Sequence, residues 1–278
     1  MHNIKKDQNR FAFGANWARF LSVLDNDRIT SAEKSLQCML GEIDLRGKTF
    51  LDIGSGSGLH SLVARRLGAK VHSFDYDFQS VGCTAELKRR YFPEDNDWLV
   101  EQGSVIDSEY MAGLGQFDIV YAWGVLHHTG AMWLAIEYAL QRVHEGGEFF
   151  IAIYNDQGVK SHGWWWVKYL YNHLPSPLNT LYAFGFGLIS NLENILKYTC
   201  KFKPMVAIKP LLNYRNNRGM SVAHDMIDWI GGFPFEFASY ESLNSYMLAR
   251  GFELLRGKKA TSLGCHEMVF LSKEKEHQ

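Results

Sequence analysis

Three kinds of residue in this chain have the types and spacing to do chemistry: alternating glycines, carboxylates that follow them at intervals, and a pair of adjacent histidines. In Phe50-Leu51-Asp52-Ile53-Gly54-Ser55-Gly56-Ser57-Gly58-Leu59-His60-Ser61 a short apolar run gives way to Gly54, Gly56 and Gly58, and then to residues that suit a helix start. Lacking a Cβ, glycine reaches φ > 0 and lets the backbone press its N–H groups against a molecule held at a helix N-terminus. Asp75 closes the next apolar stretch, Lys70–Phe74, about 20 residues past the glycines, where a carboxylate can accept both hydroxyls of a ribose. Asp107 ends Gly103-Ser104-Val105-Ile106-Asp107 after a third stretch, and His127-His128 follow a fourth, Phe117–Trp123. Histidine is the side chain whose ordinary pKa lies nearest neutrality, so His127 and His128 are candidate general bases, with His224, beside Asp225, as another.

The elements that must position these residues are legible as an alternation. Apolar runs at Phe50–Ile53, Lys70–Phe74, Trp98–Gln102, Phe117–Trp123 and Phe149–Tyr154 read as buried strands, and the segments between them read as helices or turns. Such alternation predicts a doubly wound, mostly parallel sheet, in which ligands bind at the carboxyl ends of the strands. Val143–Glu148 reads as a turn into the fifth strand, Ser239–Arg250 as a helix, and Phe252–Lys258 with Cys265–Ser272 as a hairpin. Residues 11–45 read as helical with a break at Asp25-Asn26-Asp27.

Taken together, Asp52-Ile53-Gly54-Ser55-Gly56-Ser57-Gly58, Asp75, Gly103–Asp107 and Phe117–His128 resemble four motifs of the class I S-adenosylmethionine (SAM)-dependent methyltransferases of the small-molecule type. The resemblance covers residues 46–154 and extends to the C-terminal hairpin. It implies a Rossmann-like α/β sheet of about seven strands with an antiparallel last strand, an N-terminal helical cap and a helical insert after strand five. It implies SAM as cofactor, with Asp52 and the backbone of Gly54, Ser55 and Gly56 facing its methionine end. Asp75 would then hold the ribose, Asp107 the adenine amino group, Tyr76 and Val105 would flank the adenine, and Trp123 would line the cleft. Elementary electrostatics agrees, because SAM brings an ammonium and a sulfonium, which a carboxylate beside the loop attracts and an anionic dinucleotide would not.

The expected organisation is an N-terminal cap over residues 1–45, a cofactor-binding core over 46–154 and 239–278, and a substrate-recognition insert over 155–238. The insert is too long for an ordinary connection and holds Trp164-Trp165-Trp166, three indoles about 100° apart on a helix, which cannot all face one core. Some of them are candidates to cover a pocket, a partner subunit or a membrane surface.

The 278 residues carry 29 Lys and Arg against 30 Asp and Glu, a formal net charge of −1, which offers no general attraction for nucleic acid. Cys38, Cys83, Cys200 and Cys265 lack C-x-x-C spacing, so neither a zinc site nor a disulfide framework is expected, and no metal is expected where Trp123 and Gly124 stand. No signal-peptide pattern or uninterrupted apolar span is read, so the expected location is the cytoplasm. The expected activity is methyl transfer to a small-molecule or sugar-containing acceptor, at oxygen. The alternatives are N-, C- or S-directed transfer, an RNA methyltransferase, and a SAM-fold module for binding or assembly with little turnover.

Overall fold

A computed structural model of the protein describes residues 13–41, 43–186 and 230–273. Its strands are β1 (Thr49–Ile53), β2 (Lys70–Asp75), β3 (Trp98–Gln102), β4 (Phe117–Trp123), β5 (Val143–Tyr154), β6 (Phe252–Lys258) and β7 (Cys265–Ser272). They form one sheet in the order β3-β2-β1-β4-β5-β7-β6, parallel except that β7 runs antiparallel to both of its neighbours. The doubly wound sheet with an antiparallel last strand is therefore observed as expected. The helices are α1 (Gly14–Ser22), α2 (Asn26–Leu40), α3 (Leu59–Arg66), α4 (Phe78–Tyr91), α5 (Ser108–Gly113), α6 (Met132–Leu140), α7 (Val159–His173) and α8 (Tyr240–Leu248).

Local chemistry sets several of these boundaries. Asp25, Asp77, Asp107 and Ser239 each accept a backbone N–H of the helix that follows, which satisfies donors no helix can satisfy internally. The Asp25-Asn26-Asp27 break is thus the N-terminus of α2. The strands are apolar on both sides because helices cover both faces, and two buried clusters result. One, with Phe149, Ile151, Phe270 and Leu126, lies under α6 and α8, and the other, with Phe50, Leu62, Trp98 and Ile119, lies under α2, α3 and α4. Each large apolar side chain so buried contributes roughly 1.5–3 kcal/mol of transfer free energy.

One sequence-based boundary differs. Val143–Glu148, expected as a turn, belongs to β5, and it enters the ladder as a wide irregularity: Phe117 pairs with Val143, but Ile119 pairs with Glu148. Gly146, at φ 77°, lets the extra residues loop out without breaking the strand.

The registers decide where the site is. Asp52 pairs with Ser73 and Tyr121, and Trp123 pairs with Ala152, so the carboxyl ends of β1, β2, β4 and β5 reach the same edge. Among the described residues, 13–161 and 235–273 form one compact unit holding the sheet, and 162–186 with 230–234 belong to a second. In the second, Tyr171, Ala183 and Ile230 make a small core of their own. No helix of the described residues is long and apolar enough to cross a membrane.

Candidate active site

The turn after β1 is built by its glycines. Gly54, Gly56 and Gly58 all have positive φ, at 70°, 56° and 79°, a conformation that costs other residues a steric penalty. Gly54 also lies against the segment after β4: a Cβ there would sit 2.4 Å from Val125 Cγ1. The sequence reading needs one correction here, because the turn's N–H groups are directed inward. Gly54 and Ser55 both donate to the Phe74 carbonyl, at 2.8 and 3.0 Å, and Gly56 donates to Asp75 Oδ2 at 2.9 Å. The turn offers a ligand a Cβ-free surface and carbonyl acceptors, which suits a cation better than an anion.

Asp75 is oriented by the backbone. Besides Gly56, the Asp77 N–H donates to its other oxygen at 2.9 Å. A carboxylate has about four acceptor positions, so two remain for a diol while the group is held still. Tyr76 and Val105 stand beside it at the ends of β2 and β3, Val105 buried and Tyr76 half-buried. Asp107 departs from its expected role: its Oδ1 accepts the N–H groups of Glu109 and Tyr110, both at 3.1 Å, and caps α5. Trp123 is 44% exposed at the end of β4, and its indole N–H donates to Glu267 at 3.1 Å. Its ring lies 6.3 Å from that of His60.

Asp52 lies beneath the turn and not on its lip, buried at 2% exposure. A directed chain of donors ends on it. Trp98 Nε1 donates to Ser73 Oγ (2.9 Å), Ser73 to Ser61 Oγ (2.8 Å), and Ser61 to Asp52 Oδ2. Burial pushes the carboxyl up to about 7, opposed by the Ser61 hydrogen bond. His60 does not offset this charge, since burial lowers it to about 4 and keeps it neutral. Because the folded-state pKa of Asp52 lies above its ordinary 3.8, the folded chain holds this proton more tightly than the unfolded one. The stability contribution is therefore complete below about pH 4 and is lost as pH rises towards 7. Asp52→Asn, which retains an acceptor for Ser61, is expected to gain roughly 2 kcal/mol of stability at pH 8 and little at pH 4. Equal melting temperatures of variant and wild type at pH 8 would contradict a buried, uncompensated carboxylate.

The structure separates the two histidines after β4. They lie in a single tight helical turn, Leu126–His128, after Gly124 at φ 75°. His127 is fully buried, 4.0 Å from the Tyr154 ring and 4.5 Å from His128. His128 keeps 8% exposure and packs against Phe13 at 5.2 Å and Tyr154 at 5.6 Å. Burial pushes the Tyr154 hydroxyl above its ordinary range, so it stays a donor at neutral pH and does not act as a base. Asn155 and Asp156, at the same edge, serve the local fold: the Asn155 amide donates to the Ala260 and Ser262 carbonyls, and Asp156 accepts from Gly158. His224 lies outside the described residues.

Two contributors escaped sequence reasoning. Helix α1 runs along the site from one half to the other, with Phe13 at His128 and the Trp17 indole 3.0 Å from where a Gly56 Cβ would be. The Gly14 N–H, donating to Asp77 at 2.8 Å, anchors it to α4. Glu236 crosses 104 residues of sequence to accept the Met132 N–H with both oxygens, at 3.0 and 3.1 Å, where α6 has no side-chain cap of its own. Its own N–H donates to the His127 carbonyl at 2.9 Å, so it holds the histidine turn from the far side. No local pattern announces either: Trp17 reads as an ordinary apolar position of a cap helix, and Glu236 as one acid among aromatics.

Residues 25–256 match the family model described as a methyltransferase domain. The chain belongs to the class I SAM-dependent methyltransferases. The enzyme class and cofactor expected from the sequence are borne out with it. Among relatives, the chain is 32% identical over 116 residues to a ubiquinone biosynthesis O-methyltransferase of Methylobacterium sp. (strain 4-46), covering 42% of this chain and 45% of that one. It is 33% identical over 84 residues to a ribosomal protein L11 methyltransferase of Helicobacter hepaticus, covering 30% of this chain and 25% of that one. The matched stretch thus spans between a quarter and a half of these two relatives' length. Magnesium protoporphyrin IX methyltransferase of Synechocystis PCC 6803, solved with S-adenosylhomocysteine, is similar in fold at a TM-score of 0.52, with 13% identity over 88% of this chain and 84% of that one. The methyltransferase site of the present chain fits such a cofactor on its own geometry. A Cβ-free turn, a carboxylate fixed for a diol and a buried acid beneath the turn suit a ligand with a ribose and two cationic groups.

Proposed function

We propose that this methyltransferase transfers the methyl group to a hydroxyl oxygen of a small-molecule acceptor, with His128 as general base and residues 155–238 recognising the acceptor. The observation that carries the reading is the position of His128. It is the partly exposed member of the pair, in the turn that begins at the Val125 contact with Gly54, beside a tyrosine that can only donate.

When bound, SAM supplies a methyl carbon already activated by a sulfonium. Asp75 would hold the ribose hydroxyls, Tyr76 and Val105 would flank the adenine, and Asp52 would favour the cationic methionine end from beneath Gly54, Ser55 and Gly56. Trp123 would wall the cleft, and Phe13 and Trp17 would exclude water. His128 takes the acceptor's hydroxyl proton as the oxygen becomes nucleophilic, and the Tyr154 hydroxyl donates to that oxygen and orients it. Asp107, as the cap of α5, shapes the adenine loop indirectly. Support for an oxygen acceptor also comes from the relative named as an O-methyltransferase, over the part it shares with this chain.

Support for the insert's role comes from where its ends are held. The chain leaves β5 at Tyr154, and Ala238 returns to bridge with Asn155, its N–H donating to the Tyr154 carbonyl at 3.0 Å, so the insert begins and ends at the binding edge. The test uses SAM labelled at its methyl group with a fractionated metabolite extract. The expected product gains one methyl mass as an ether or ester. A product methylated at nitrogen or carbon would remove the hydroxyl acceptor and with it the need for a base. Joining Asp156 to Phe235 by a short linker is expected to keep SAM binding and abolish transfer, and retained transfer would end the recognition role of the insert.

A further inference from the structure

The second compact unit presents large apolar side chains outward. Trp166 is 63% exposed, Leu170 46%, Leu178 51%, Leu181 65% and Phe184 54%. Trp166 and Leu170 are four apart on α7, and Leu178, Leu181 and Phe184 are three apart on helical residues 178–186, so each set shares a helix face. The other two indoles of the triplet are engaged within the unit. Trp164 packs on Phe186 at 5.3 Å, and Trp165 stacks on Tyr169 at 5.0 Å, which stacks on His173 at 3.9 Å.

Charge says what such faces meet. Residues 157–186 contain no Asp or Glu at all, and residues 157–234 contain eight Lys and Arg against three Asp and Glu, in a chain whose formal net charge is −1. A solvated helix pair ordinarily carries both signs. Clustered apolar and aromatic side chains combined with an excess of one sign mark an interaction surface for the opposite sign. A second copy of the chain would set two positive faces against each other, and nucleic acid has no use for a leucine-rich stripe.

We propose that this unit docks on the surface of an anionic lipid bilayer, with Trp166, Leu170, Leu181 and Phe184 entering the interfacial layer and the basic surplus drawn to acidic headgroups. The helices lie on the membrane and do not cross it.

The full-length protein is sedimented with vesicles of phosphatidylglycerol and phosphatidylcholine in equal parts, and with vesicles of phosphatidylcholine alone. Binding to the mixed vesicles is expected to be at least about tenfold stronger than to phosphatidylcholine alone, and to weaken several-fold between 0.1 and 0.5 M salt. The pair Trp166→Ser and Leu170→Ser, and separately Leu181→Ser, are each expected to weaken partition by about tenfold or more. SAM binding by calorimetry, which reads the other unit, and a cooperative thermal transition serve as folding controls. Absence of binding to the mixed vesicles overturns the proposal, as does equal binding to both kinds. Wild-type partition of both variants removes these faces from the contact. A concentration-dependent dimer that Leu170→Ser dissolves would assign the surface to a second copy instead.

Discussion

Replacement of His128 by alanine is expected to lower turnover by about 10²–10⁴-fold while leaving SAM affinity unchanged, which is the usual cost of removing a positioned general base. The loss should fall on kcat and on kcat/KM alike, since proton removal belongs to the transition state and not to acceptor binding. The rate of the wild type should rise with pH through neutrality, and that limb should vanish in the variant. His127→Ala is expected to behave differently. This ring has no exposed surface and packs 4.0 Å from Tyr154, so its removal leaves a cavity and lowers the melting temperature before it alters the chemistry. Stopped-assay rates across pH for the two variants separate these roles. Wild-type turnover by His128→Ala would mean that transfer runs by alignment alone, or that His224 supplies the base.

Asp75→Ala is expected to weaken SAM binding by roughly 1.5–3 kcal/mol, about 10–150-fold, through loss of charge-assisted hydrogen bonds. The carboxylate also anchors the glycine turn through the Gly56 N–H and receives the Asp77 N–H, so the variant disturbs the cradle as well as the ribose contact. Asp75→Asn keeps one acceptor oxygen and should fall between the two. Asp107→Ala is the informative contrast. Its carboxylate caps α5 through Glu109 and Tyr110, so the expected cost is about 1 kcal/mol of stability, read as a lower melting temperature, with little change in affinity. Titration calorimetry on the three variants decides between these roles. Equal weakening by Asp75→Ala and Asp107→Ala would return Asp107 to the adenine, and an unchanged affinity in Asp75→Ala would sink the ribose assignment.

The sequence by itself determined the class of fold and the place of the cofactor, because both rest on short-range regularities. An apolar run of five residues, three glycines that alone tolerate φ near 70°, and an acid closing the next strand are local events, and alternating strands and helices leave the chain few topologies. The same locality explains what was misread. A carboxylate at the end of Gly103–Asp107 is equally able to meet a ligand or the next helix's N–H groups, and only the start of α5 one residue later directed Asp107 to the latter. His127 and His128 are indistinguishable as adjacent letters; the tight turn after β4 sent one into the core and left the other at the edge. Asp52 became a buried acid at about 7, and not an open acidic lip, because Ser61, Ser73 and Trp98 close over it from three separate elements. Phe13 and Trp17 reached the site, and Glu236 reached α6 from 104 residues away, through packing that no periodicity encodes. Hydrogen bonds between near neighbours and the pitch of a strand or helix are written in the sequence, whereas which side chains face each other across the sheet edge is fixed only when the elements pack.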